Sequence, residues 1–109
     1  MLVAKRDRIL GTVQIVLLTL IAEEDRGDTS GEALAPVIQS LVQYIVTPAQ
    51  IHGALRRLYE RGLVDYDVVK HQKGRGRPKH CYRLTKAGVE ALENYRALAR
   101  FIIEKSPSE

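Results

Sequence analysis

Hydrophobic residues recur at helical spacing in several segments of the chain. In the first, residues 9–22, apolar side chains cover much of the helix circumference. This pattern indicates packing on more than one side and, in a domain this small, contact with a second subunit. The segment is short for a bilayer span, so we expect a buried helix and no membrane partner. Ser30 is suited to cap a second helix, whose leucine, valine and isoleucine residues face inward.

A third helix, residues 47–61, has the clearest start signal. Thr47 supplies a capping hydroxyl, Pro48 suits the first helical position, and Gln50 completes a capping box. Gly62 suits the left-handed backbone conformation of the residue that ends the helix. Apolar residues at helical spacing point inward, which leaves the opposite face small or polar. The residues of interest there are Ala49, Gln50, His52, Gly53, Arg56 and Arg57.

Two later segments, residues 63–69 and 80–84, alternate between apolar and polar positions and predict the strands of a β-hairpin. Thr85 then caps a last helix that runs to about residue 105, and we expect the tail 106–109 to be frayed. The apolar stripe of this helix is wider than one small hairpin covers. A partner helix is the simplest way to bury it, and a helix lying across its own domain is the alternative.

Positive charge is concentrated in one part of the chain. The 109 residues include 17 lysines and arginines and 13 acidic residues, a net charge of +4. Seven of the basic residues and no acid lie between positions 70 and 86, which leaves 10 basic and 13 acidic residues elsewhere. Glycines alternate with Arg75 and Arg77 at the centre, so the backbone there can approach an anion closely. Such a loop suits a polyphosphate backbone, and a solvated hairpin tip is the alternative.

Composition narrows the class of function further. The length fits one domain, and a single cysteine, Cys81, allows no intramolecular disulfide, which fits a cytoplasmic protein. No nucleophile and base, phosphate-binding glycine loop or carboxylate pair is placed for catalysis, so we expect neither an enzyme nor a cofactor. The three histidines have no cysteine pair or carboxylate at ligand spacing, so we expect no metal site.

The order of elements is that of a winged helix-turn-helix. We therefore expect a mostly α fold with a small β-hairpin (α+β), in which residues 1–84 form a DNA-binding domain and residues 85–105 a dimerisation helix. The third helix would enter the major groove, while the wing, residues 70–80, would hold phosphates or the minor groove. The expected DNA contacts are Thr47, Ala49, Gln50, His52, Gly53, Arg56 and Arg57 on the helix, and Lys73, Arg75, Arg77 and Lys79 on the wing.

Individual side chains suggest how bases are read. Gln50 has the groups to bond bidentately to adenine, although its capping role competes with base reading, and Arg56 or Arg57 suits guanine or a phosphate. For the subunit interface, we expect apolar residues of the first and last helices to meet the partner. These are Ile15, Leu18, Leu92, Tyr95, Leu98, Ala99, Phe101 and Ile102.

Two segments resemble a known family. Residues 47–58, TPAQIHGALRRL, followed by RGLV at 61–64, resemble the recognition-helix signature of the PadR family of bacterial winged-helix regulators. Residues 76–88, GRPKHCYRLTKAG, are similar to the wing motif of that family. The resemblance implies a dimeric transcriptional regulator, usually a repressor, and the single helix after the wing is similar to its short-tailed branch. Some members of that branch bind aromatic drugs through tryptophan, which is absent here, so a small-molecule effector stays open and unnamed.

Two functions follow as hypotheses. The first is a homodimeric, cytoplasmic repressor that binds a specific sequence of double-stranded DNA. The second is a winged-helix module that binds an acidic protein partner. Positive charge on both the third helix and the wing favours DNA, because a protein-interaction module has little reason to place it on both elements.

Overall fold

The structure, a computed structural model, describes residues 10–23, 27–42, 45–70 and 78–107. Along these ranges lie α1 (Thr12–Ile21), α2 (Gly31–Leu41), α3 (Pro48–Glu60), β1 (Val64–Val69), β2 (Lys79–Leu84) and α4 (Lys86–Lys105). Among the described helices, none combines the length and apolarity that crossing a membrane requires. The element order confirms the expected mostly α fold with one hairpin.

Side chains cap three of the helices where the sequence indicates. Ser30 Oγ accepts a hydrogen bond from the backbone N–H of Ala33 at 3.3 Å, which begins α2. Thr85 Oγ1 accepts from the backbone N–H of Gly88 at 3.1 Å, which begins α4. Thr47 caps α3 in the same way. Each cap gives a side-chain acceptor to an N–H group of the first turn, and so fixes where the helix starts.

The core lies where α1, α2 and α3 meet the base of the hairpin. α1 is the central element, because it contacts α2, α3, β2 and α4. The apolar side chains that are buried include two from α2 and four each from α1 and α3. They are Leu17, Leu18, Leu20, Ile21, Leu34, Ile38, Val46, Ile51, Ala54, Leu55, Leu58, Val64 and Leu92.

Two residues that were expected at a subunit interface lie in this core instead. Leu18 is fully buried and Leu92 is only 3% exposed within the single chain. At Leu18, α1 is covered by other elements of the same chain, and α4 lies against α1 and β2. Neither side chain has surface left for a partner, so the assignment of these two residues to the interface is corrected.

The hairpin and α4 are joined to the end of α3 by a tight turn. β1 and β2 are antiparallel, with Val64 opposite Leu84 at the base. Gly62 has a positive φ of 76° and ends α3 as predicted. A Cβ on Gly88 would overlap the carbonyl oxygen of Leu63, so only glycine allows the first turn of α4 to pack this closely on the turn.

Candidate nucleic-acid interface

A complete capping box begins α3. Thr47 Oγ1 accepts from the backbone N–H of Gln50 at 3.1 Å, while Gln50 Oε1 accepts from the backbone N–H of Thr47 at 2.8 Å. The Thr47 hydroxyl also donates to Gln50 Oε1 at 3.3 Å. The box confirms the predicted start of the helix and directs Gln50 Oε1 back to the backbone. The other polar atom of this side chain, Nε2, only donates hydrogen bonds.

The outer face of α3 carries the residues that the sequence proposes for DNA contact. Ala49, Gln50, His52, Arg56 and Arg57 are exposed, and Gly53 is half-buried. The buried residues of α3 all lie on the opposite side. Ala49 and Gly53 therefore lie one turn apart, with Arg56 and Arg57 one turn later.

His52 connects α3 to the start of α2. A Cβ on Gly31 would lie 2.8 Å from His52 Cε1, which means that the imidazole rests against the Gly31 backbone. The same imidazole lines a groove of about 350 Å³ that extends to β2. The fold thus brings a residue of α3 and residues of the wing to one groove, lined by Gly31, Glu32, His52, Pro78, Lys79, His80 and Tyr82.

The segment before α2 holds the base of the wing. Thr29 Oγ1 donates to the carbonyl oxygen of Tyr82 at 2.7 Å, and Lys79 Nζ forms an ion pair with Asp28 Oδ2 at 2.9 Å. Hydrogen bonds from Lys79 and from the backbone N–H of Ser30 lower the pKa of Asp28 to about 2. Because the Lys79 ammonium already has this partner, a phosphate would compete with Asp28 for it.

Charge on β2 is also partly neutralised within the hairpin. Arg83 Nη2 lies 3.4 Å from Asp65 Oδ2, and Arg83 Nη1 pairs with Asp67 Oδ2. The two aspartates share one strand face, as the alternation of β1 predicted. The positive charge of the segment from 70 to 86 is therefore smaller on this face of the hairpin than the sequence alone indicates.

A cluster of aromatic rings, which sequence reasoning missed, links α3 to the wing. The ring centroid of Tyr66 lies 5.1 Å from that of Tyr59, 4.3 Å from that of His80 and 5.6 Å from that of Tyr82. The His80 and Tyr66 rings are stacked. Tyr66 and Tyr82 are opposite each other in the hairpin. Pairing the two predicted strands residue by residue would have placed these tyrosines together. The cluster fixes the orientation of the hairpin relative to the last turn of α3.

The tip of the wing lies outside the described residues. Lys73, Arg75 and Arg77, the wing residues with the strongest sequence case for DNA contact, all belong to the segment 71–77 that is not described. The described hairpin reaches Lys70 on one side and resumes at Pro78 on the other.

The second half of α4 presents an apolar surface. Of the residues expected at a subunit interface, Tyr95, Leu98, Phe101 and Ile102 are exposed, whereas Ala99 and Ile15 are half-buried. Ile103, which the sequence analysis did not include, is 71% exposed. This part of α4 projects apolar side chains that the described residues of its own chain do not cover.

Potential metal ligands do not cluster in the described part of the chain. Within residues 10–23, 27–42, 45–70 and 78–107, no three histidine, cysteine, aspartate or glutamate side chains are placed to hold an ion together. Cys81 is half-buried in β2.

Comparison with models of protein families gives one match. It extends over residues 17–94, from α1 into α4, and the model is described as the transcriptional regulator PadR-like family. No curated protein matches the sequence.

Solved structures share the fold. A PadR family transcription regulator from hypervirulent Clostridium difficile is 23% identical with a TM-score of 0.71, over 86% of this chain and 93% of that one. A PadR-like transcription factor from Bacteroides fragilis is 21% identical with a TM-score of 0.72, over 92% of this chain and 88% of that one. Bacillus subtilis PadR, solved in complex with operator DNA, is 18% identical with a TM-score of 0.63, over 87% of this chain and 60% of that one.

Proposed function

Because the chain belongs to the PadR-like family of transcriptional regulators, we propose that it is a homodimer that binds a specific duplex operator and represses transcription. Family membership confirms the expectation that the protein is a regulator and not an enzyme. The outer face of α3 is the observation that carries the proposal for DNA. It combines a capped N-terminus, small central residues and two exposed arginines, while the other face is anchored in the core.

The proposed binding mode places α3 in the major groove. Arg56 and Arg57 are long enough to reach guanine or a phosphate from the outer face. Lys73, Arg75 and Arg77 of the wing would hold phosphates or enter the minor groove beside the helix. The aromatic cluster supports this arrangement, since its ring contacts hold the described strands of the hairpin against the last turn of α3. That Bacillus subtilis PadR was solved with operator DNA supports duplex DNA as the ligand class.

The proposed dimer contact is the second half of α4. Leu98 and Phe101 are 54% and 56% exposed, and Ile102 lies one turn after Leu98. Covering these side chains with the same helix of a second copy removes apolar surface from water and aligns two copies of α3 for the two half-sites of an operator. As part of the same proposal, the protein works in the cytoplasm, and its effector, if it has one, is unnamed.

Fluorescence anisotropy with labelled duplexes tests DNA binding. A duplex selected by the wild-type protein from a randomised library is compared with a scrambled duplex at several salt concentrations. We expect preference for the selected duplex, and a weaker, less salt-dependent complex for Arg75→Ala/Arg77→Ala, because each phosphate contact that is lost lowers the slope of log K against log salt by about 0.9. Arg96→Ala/Arg100→Ala on α4 removes the same charge from exposed positions outside the proposed DNA contacts. It is the matched control, provided that light scattering gives it the same mass as the wild type.

The results separate the two functions considered. If the protein selects a duplex and only the wing variant binds it more weakly, the regulator hypothesis is supported. Failure to bind any duplex at low salt, together with a monomeric mass, contradicts the proposal and favours a module that binds an acidic protein. If the wing variant and its control lose the same affinity for the selected duplex, the wing does not contact the DNA as proposed.

A further inference from the structure

Three glycines lie within described helices, and two of them are in close contact with other parts of the chain. A Cβ on Gly88 would overlap the Leu63 carbonyl oxygen, and one on Gly31 would come within 2.8 Å of the His52 ring. Glycine weakens a helix interior more than any residue except proline. At Gly31 and Gly88, the close contacts within the chain account for the presence of glycine.

Gly53 has no such reason within the described structure. It lies in the middle of α3, and the nearest atom to a Cβ built there is Arg57 Nη1 at 3.6 Å, an ordinary van der Waals distance. Its backbone is helical, and Gly53 is not among the described glycines with positive φ. Alanine would therefore fit this position and favour the helix. No contact with the described residues of the chain makes glycine necessary here.

We propose that Gly53 is the point of closest approach between α3 and the DNA, where the edge of a base pair in the major groove fills the space of a side chain. This inference rests on the function proposed above. Glycine is the residue that lets a ligand come directly onto the backbone, and the helix surface around Gly53 suits such an approach. Ala49 lies one turn before it, and Arg56 and Arg57 lie one turn after it.

Contact at Gly53 determines sequence specificity because it sets the depth of α3 in the groove. A methyl group at this position pushes the helix outward, so the bonds that neighbouring side chains make to base edges lengthen together. Contacts to phosphates are affected less, since they depend on charge rather than on fit. The expected signature is a loss of specific binding with non-specific binding preserved.

The test measures stability and binding of Gly53→Ala. We expect its Tm to rise by roughly 4–8 °C, because a glycine in a helix interior is replaced by the best helix former. Affinity for the duplex selected by the wild type should fall at least about fivefold, the lower end for one lost base contact. Affinity for a scrambled duplex at low salt should stay within about twofold.

Glu60→Ala is the control variant. Glu60 is exposed near the end of α3, and its replacement favours the helix without adding an atom toward the DNA. We expect it to bind the selected duplex at least as tightly as the wild type, since a negative charge is removed.

The outcomes distinguish a failure of this inference from a failure of the proposed function. Unchanged affinity of Gly53→Ala for the selected duplex overturns the inference, and so does a lowered Tm, which would show that the fold itself needs the glycine. Equal losses on the selected and scrambled duplexes would also overturn it, because they indicate a general defect. If the wild type selects no duplex, the proposed function is wrong, and that result is seen without any variant.

Discussion

Gln50 is expected to read DNA as a hydrogen-bond donor only. Its Oε1 already accepts from the backbone N–H of Thr47 at 2.8 Å and from the Thr47 hydroxyl at 3.3 Å. Bidentate pairing with adenine needs Oε1 as an acceptor and Nε2 as a donor at the same time. The capping box therefore leaves Nε2 for an acceptor on a base edge, such as guanine N7 or O6 or thymine O4.

Gln50→Glu tests this geometry because it changes the donor and keeps the cap. Glutamate also completes a capping box and is favourable near a helix N-terminus, so the free energy of unfolding should change by less than about 0.5 kcal/mol. On DNA, the variant loses one hydrogen bond, worth about 1 kcal/mol, and leaves a base acceptor facing a carboxylate, which costs about as much again. A total of about 2 kcal/mol corresponds to roughly 30-fold weaker binding.

Urea unfolding and anisotropy on the duplex selected by the wild type give the two quantities. Ala97→Glu, which adds a negative charge at an exposed position of α4, controls for net charge. The reasoning is refuted if Gln50→Glu binds within twofold of the wild type at unchanged stability. It is also refuted if the selected duplex requires adenine at a position that only Gln50 reaches.

Three other predictions concern the dimer, the acid response and the core. Leu98→Glu should give a monomeric mass by light scattering, while Ala97→Glu, on the polar side of α4, stays dimeric; a dimer in both would contradict the proposed contact. The pKa of Asp28 is lowered from 3.8 to about 2, so its pairing with Lys79 stabilises the fold above about pH 4 and less as the pH falls toward 2. Between about pH 4 and about pH 2, the free energy of unfolding of Asp28→Asn should therefore fall less than that of the wild type. The difference should be under about 1 kcal/mol, because the ion pair is exposed. If the free energies of unfolding of both proteins fall in parallel with pH, the Asp28–Lys79 pair does not have this role. Leu55→Ala, at a fully buried position, should lower the free energy of unfolding by about 2–5 kcal/mol in urea titrations, and a loss below about 1 kcal/mol would contradict the packing described.

Most of the fold could be predicted because its signals are local. Thr47, Ser30 and Thr85 cap the helices that follow them, since a cap depends on residues three positions away. The turn at Gly62 and the two faces of α3 were found for the same reason, as a helical period assigns faces without knowledge of the rest of the chain. Alternation likewise located both strands, to within a residue at each end.

The tertiary structure decided what covers each face. The period of α1 showed apolar residues on several sides, yet only the fold shows that Leu18 is covered by the same chain. The pairing of Lys79 with Asp28 and the contact of Gly31 with His52 join residues far apart in sequence. Neither pair has a local pattern, because each forms only when separate elements meet.

For the candidate site, the residue types of α3 were readable from the sequence, whereas the contacts around each residue were not. Residue types placed arginines, a glutamine and small residues on one helix face, which is a local property of α3. Only the folded chain distinguished Gly53, which nothing in the described packing requires, from Gly88, which the turn at Leu63 requires. The distinction depends on which atoms lie near each Cα, and those atoms come from parts of the chain that only folding brings together.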